Sequence, residues 1–202
     1  MELREYLLIL RKYWALVVVT TVLGIAAALG LSWLATPEYQ SKTQLYVSVR
    51  SDGGNTGDLV QGANYSRQIV NSYVSVVSSS AVLDPVVEEL GLDMTGSQLA
   101  DHINAASPSD SALIEITASS SSAEESAEIA EAVGESFKNV VQTQLEPEVN
   151  GASPISLTTT QNALVPKSPV SPNLLVNIAL GLLIGLAVGY GAAILRTVLD
   201  RR

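Results

Sequence analysis

The 202-residue chain contains no cysteine, one histidine (His102), one phenylalanine and two methionines, and only 15% of its residues are charged. Without cysteine there is no disulfide, no thiolate nucleophile and no Cys-type metal site. With a single histidine there is no histidine pair or triad, and a lone histidine on a short polar stretch reads as a surface residue. No GxxxxGK[ST] phosphate loop occurs, and Gly53 and Gly54 belong to a turn, not to a strand-to-helix junction. The densest carboxylates, Glu124, Glu125, Glu128, Glu131 and Glu135, lack the glycine pattern of a calcium loop and read as a solvated helix face. The expectation is a non-enzyme, with no catalytic, cofactor-binding or metal-binding residues.

Charge is missing most completely from two stretches. Trp14 to Thr36 and Leu174 to Leu195 carry no charged side chain, and about 20 apolar residues cross a bilayer as a helix. Trp14 and Trp33 stand at the ends of the first run, where interfacial aromatics belong. That run is too long for the apolar core of a signal peptide, so a retained anchor is expected. Outside the runs, residues 1–13 and 196–202 hold six Lys/Arg against three acids, a balance of +3. The middle holds five basic and 17 acidic residues, a balance of −12. Basic flanks stay cytoplasmic, which puts both termini inside and the acidic middle outside. An acidic middle argues against nucleic acid or anionic lipid as its partner.

Six segments follow. Residues 1–13 are a cytoplasmic lead-in with Leu3, Leu7 and Leu10 on one helical face, suited to the headgroup region or, alternatively, to docking a cytoplasmic partner. Residues 14–36 are the first span. Residues 37–165 are the extracytoplasmic domain, 166–173 a proline-rich linker, 174–195 the second span and 196–202 a short cytoplasmic tail.

Within the domain, Tyr39–Val49 sets Gln44, Tyr46 and Ser48 against Leu45, Val47 and Val49, which predicts a strand before the turn Ser51–Gly57. Helices are expected over 58–78 and 81–90, the latter capped by Asp84 with Pro85 in its first turn and stopped by Gly91. A short third helix is expected over 97–104. Residues 112–118 alternate as a half-buried strand. Residues 123–145 place Ala127, Ala130, Val133, Phe137 and Val140 at steps of three and four, with Ser121 or Ser122 as cap. Residues 155–163 close the series as a strand. The fold class expected is α+β (α/β): a small mixed sheet covered by helices, flanked by two transmembrane helices. Because the first and last strands adjoin the spans, their pairing would hold the spans together.

Three features stand out as candidate sites. Gly181, Gly185 and Gly189 recur every fourth residue, a small-residue face for helix packing or partner contact, with Gly24 and Ala27 of the first span as a candidate groove. Pro166, Pro169 and Pro172 stiffen the way into the second span, or simply end the last strand. Arg67 is a candidate for an ion pair with Glu128 or Glu131, within the domain or between subunits; a solvated role is equally compatible.

The order of these parts resembles the polysaccharide co-polymerases, the Wzz-type chain-length determinant proteins. The resemblance covers nearly the whole chain. It is carried by LREYLLILRKYW, TPEYQSKTQLYVSV, SRQIVNSYVSVVSSSAVLDPVVEELGL, the acidic-alanine helix and, most specifically, LVPKSPVSPNLLVNIALGLLIGLAVG. It implies a homo-oligomeric ring in the cell membrane that sets the length or output of a capsular or exported polysaccharide, beside a membrane polymerase. The style is most similar to Gram-positive or actinobacterial members, many of which continue into, or partner, a cytoplasmic tyrosine kinase. Here the sequence ends at Arg202 with neither a kinase phosphate loop nor a tyrosine cluster, as in a short form, a kinase adaptor or a fragment. The domain is too short for the tall bell of Gram-negative relatives. The alternatives are the ligand-binding sensory part of a two-span receptor and the membrane part of a truncated tyrosine kinase.

Overall fold

The computed structural model describes residues 3–49, 56–109, 111–146 and 155–199. In chain order the elements are α1 (Leu3–Leu34), β1 (Tyr39–Val49), α2 (Thr56–Val77), α3 (Ser80–Leu90), α4 (Gly96–Ala100), β2 (Ile103–Ala106), β3 (Leu113–Ser120), α5 (Ala123–Val140), β4 (Ile155–Gln161) and α6 (Leu174–Leu199). They form two units, one of residues 1–37 with 170–202 and one of residues 38–169. Most of the Ser51–Gly57 turn, the loop holding Pro147, and the charged residues 200–202 lie outside the described residues, as do the side chains of Leu3, Leu7 and Leu10.

The first unit is a pair of long apolar helices. Trp14–Leu34 and Leu174–Thr197 are each long enough to cross a membrane, with a mean hydropathy of 2.3 in their apolar windows. Tyr13 interrupts α1 with φ −112° and ψ 21°, so residues 3–12 and 14–34 are two helical pieces joined at a kink. Tyr13 also lies under two cations, with Lys12 Nζ 5.0 Å and Arg196 Cζ 5.9 Å from its ring centroid.

The second unit is a four-stranded sheet of order β2-β3-β1-β4 with helices on one face. The β2–β3, β3–β1 and β1–β4 pairs are all antiparallel, so the expected mixed sheet is corrected to an antiparallel one. β1 is one of its two inner strands, with Leu45 opposite Ile114 on one side and Val47 opposite Leu157 on the other. Alternation does the sorting: Ser41, Thr43, Leu45 and Val47 point into the core, while Gln40, Lys42 and Tyr46 point away. Beneath the inward face lie Val70, Tyr73 and Val77 of α2, Leu83 and Val86 of α3, and Val133 and Phe137 of α5. Tyr73 meets Phe137 edge-on, with ring centroids 6.0 Å apart, and burial raises the Tyr73 phenol above its ordinary pKa.

Three local expectations are corrected. Residues 97–104 are not one helix: α4 lasts five residues, closed at its start by a Thr95–Gln98 capping box, and Ile103–Ala106 then pairs with β3 as an edge strand. The cap of α3 is Ser79, not Asp84, and Pro85 lies inside the helix; Gly91 does end it, at φ 61°. The last turn of the expected 123–145 helix is a π-helical turn, Val141–Leu145.

Candidate functional site

In the first unit, three glycines let α6 lie almost backbone-to-backbone on α1. A methyl placed on Gly181 would fall 2.7 Å from Gly24 O and 2.8 Å from Ala28 Cβ. On Gly185 it would fall 2.7 Å from Thr21 Cα, and on Gly189 2.9 Å from Val17 Cα. Any side chain larger than hydrogen would force the helices apart. Thr20 and Thr21 turn their hydroxyls back to Val17 O, at 3.0 and 2.7 Å, so neither leaves a donor unmet in an apolar setting. Further along, Asn177 Nδ2 donates to Ser32 Oγ at 2.7 Å, a polar clasp beside a cleft of about 360 Å³ lined mainly by Gly24, Ala28, Leu31, Leu180 and Ile184. Nothing in the sequence reading pointed to Asn177 or Ser32, although an amide inside an apolar run is itself a signal. The glycine face is thus occupied by the chain's own first helix.

Pro166 and Pro169 follow β4 in the second unit, and Pro172 stands two residues before the start of α6 in the first. Before them, Ala163 N–H donates to Glu131 Oε2 at 3.1 Å, and Ser41 Oγ donates to Leu164 O at 2.8 Å. The segment after β4 is therefore tied to both α5 and β1.

Arg67 makes no ion pair with Glu128 or Glu131 among the described residues. Glu131 is turned to the Ala163 N–H, whereas Arg67 lines a polar concavity of about 280 Å³ with Asn71, Ser107, Pro108, Ser109 and Ser111. Other α5 acids are engaged locally. Glu125 accepts from Ser120 Oγ, and Glu135 pairs with Lys138 at 2.6 Å. No group of three or more His, Cys, Asp or Glu converges on a metal-sized site among the described residues.

The sheet face turned away from the helices carries an ordered polar array that the sequence reading overlooked. Lys42 Nζ donates to Glu115 Oε1 at 2.7 Å, and Gln44 Nε2 to Glu115 Oε2 at 3.2 Å. Those two bonds, Lys42's first, hold the Glu115 carboxyl below the ordinary carboxylate pKa. Gln40 Nε2 donates to Ser119 Oγ at 3.2 Å, and Tyr46, two residues beyond Gln44, is 45% exposed.

Comparison with known proteins bears on both units. The family described as "Wzz: Chain length determinant protein" matches residues 1–90. The probable capsular polysaccharide biosynthesis protein YwqC of Bacillus subtilis (strain 168) is 31% identical over 200 residues, covering 98% of this chain and 78% of that protein. The chain belongs to the Wzz chain length determinant family. Other proteins similar to it are the capsular polysaccharide biosynthesis proteins CpsC of Streptococcus pneumoniae, 29% identical over 192 residues (95% of this chain, 80% of that one), and CpsC of Streptococcus agalactiae, 26% identical over 198 residues (96% and 83%). A solved structure, a "full-length bacterial polysaccharide co-polymerase", superposes with a TM-score of 0.55 over 99% of both chains at 11% identity, a likeness of fold. Wzz-family membership and two end helices of spanning length make this a membrane protein.

Proposed function

We propose that this Wzz-family chain regulates the length of a capsular or exported polysaccharide without catalysis, as a homo-oligomer in the cell membrane beside a polymerase. Both termini lie in the cytoplasm and residues 37–165 lie outside, a reading supported by the +3 balance of the ends against the −12 of the middle. A tyrosine kinase on the cytoplasmic side is its partner, docking at the lead-in before Tyr13. The observation that carries the reading is the likeness to YwqC along 98% of the chain, both apolar helices included. With the glycine face taken by α1, the polymerase is met through the lipid-facing sides of the helices, and Arg67 serves between subunits, opposite acids such as Glu128.

Deleting the gene in the producing cells and sizing the polymer tests this directly. A shifted or broadened length distribution, restored by the intact chain, is expected; an unchanged distribution refutes the reading. Counting subunits by mass in detergent adds a second check, since a strict monomer is incompatible with a ring. A cysteine replacing the exposed Asp101 is expected to react with membrane-impermeant reagents on whole cells, and protection there would reverse the topology.

A further inference from the structure

We propose that the uncovered face of the β-sheet is a binding surface for a hydroxyl-rich glycan chain, centred on Tyr46 with Gln40, Gln44 and the Lys42–Glu115 pair around it. The inference rests on the chain-length reading and adds to it a surface on which the polymer is held.

The sequence puts these residues on one side by simple alternation along β1, with successive outward side chains about 6.6–6.8 Å apart. No described element of this unit covers them. Lys42 keeps 54% of its side-chain surface in contact with solvent, and the outward positions of the neighbouring strands, Asn104, Ser156 and Thr158, are exposed as well.

The chemistry of the face selects among occupants. A stable interface with a second copy of the chain needs an apolar centre, and Tyr46 is the one large apolar side chain exposed on this sheet among the described residues. An anionic lipid surface or a nucleic acid needs clustered cations. Among the described residues of β1 the outward-facing cation is Lys42, and Glu115 neutralises it at 2.7 Å. What remains, among the described residues, is an array of amides, hydroxyls and one ring around a neutralised ion pair. Amides donate and accept at once, as do sugar hydroxyls. A phenol ring offers an apolar face to the C–H side of a pyranose while its hydroxyl stays in water.

The array is also set in advance. Gln40 is held by Ser119, and Lys42 and Gln44 are held by opposite oxygens of one carboxylate. Side chains already fixed lose little further freedom when a ligand arrives. Each still has lone pairs or N–H groups to offer, since Gln44 uses one of its two amide hydrogens on Glu115.

The test uses the full-length chain in detergent micelles. The probe is the surface polysaccharide of the producing cells, cut to short oligomers, with binding followed by calorimetry. Saturable binding is expected for the unaltered chain and for Glu89→Gln, which changes an exposed residue of α3, off the sheet. Tyr46→Ala and Gln44→Ala are each expected to weaken binding by roughly tenfold, the loss typical of a central contact, while Tyr46→Phe, which keeps the ring, stays within a few-fold of the unaltered chain. Circular dichroism and thermal midpoints establish that the variants fold. Binding equal in all variants, or none at millimolar oligomer, overturns the proposal. So does a disulfide between copies of Tyr46→Cys in native membranes, which would give the face to a second subunit. Polymer sizing separates the two levels. If deletion of the gene alters chain length but Tyr46→Ala and Gln44→Ala restore it fully, only the glycan surface fails; if deletion changes nothing, the chain-length reading itself fails.

Discussion

The two units of this chain solve the same packing problem by opposite means. The helix pair closes by removing side chains: Gly181, Gly185 and Gly189 bring one backbone onto Gly24, Thr21 and Val17 of the other. The sheet unit closes by adding them, with Phe137, Leu45, Ile114, Leu83 and Leu99 fully out of solvent. The solvent explains the contrast. In water, burying branched and aromatic groups drives folding. In lipid, tails are as apolar as leucine, so only close contact and hydrogen bonds favour one helix neighbour over another.

Four substitutions would break or sharpen that contrast. The largest effect is expected for Phe137→Ala, which empties the centre of the water-driven core and costs about 3–5 kcal/mol. Thermal unfolding of the intact protein, read by circular dichroism, checks it, and a loss under 1 kcal/mol would contradict the packing described. Next comes Gly185→Leu, which overfills the helix contact at a cost of about 1–3 kcal/mol. Replacing Ser32 and Asn177 by cysteines gives the readout. Their side chains now meet at 2.7 Å, so oxidation is expected to link them readily, and adding Gly185→Leu is expected to suppress the link. Gly30→Leu is the control, since nothing lies within 4 Å of a methyl placed there.

Asn177→Leu tests the polar clasp alone. An interhelical hydrogen bond in lipid is worth about 0.6 kcal/mol, so helix association, followed by energy transfer between labelled helices, is expected to weaken slightly. The smallest effect is expected for Glu115→Gln on the water-exposed sheet face, about 0.5 kcal/mol at neutral pH. The Glu115 carboxyl titrates lower when folded than its ordinary 4.5. Its contribution is therefore complete above the ordinary carboxylate range and fades as pH falls through the lowered folded value. Melting curves for both forms should converge on acidification, and a difference independent of pH would remove the ion pair from the account.

Much of the architecture was readable because it is periodic. Two charge-free runs, the alternation of β1 and β3, and the three-and-four spacing of α5 each announced an element and its buried side. β2 escaped because Ile103–Ala106 is four residues long, too short to show a period, and follows a true helix turn closed by Thr95 and Gln98. Strand direction also escaped. Alternation records which side a residue faces, not which way its neighbour runs, so an antiparallel sheet was expected as mixed. At the candidate sites, spacing identified the glycines and even Gly24 opposite them, but not that Ala28, rather than Ala27, completes the contact with Gly181. Arg67 shows the limit most clearly. Sequence names the charges present, but a long side chain chooses its surroundings in three dimensions, and Arg67 lines a concavity with Ser107, Ser109 and Ser111 while Glu131 serves a backbone N–H.

The glycine seam has a temporal consequence. Leu34 and Leu174 are 140 residues apart, and at 5–20 residues per second the ribosome needs roughly 7–28 s to travel between them. Throughout that interval the newborn first helix waits in the bilayer with Gly24 and Ala28 bare. A nascent neighbour on the same messenger could seize that groove before the rightful partner emerges, so spacing between ribosomes becomes a determinant of correct assembly.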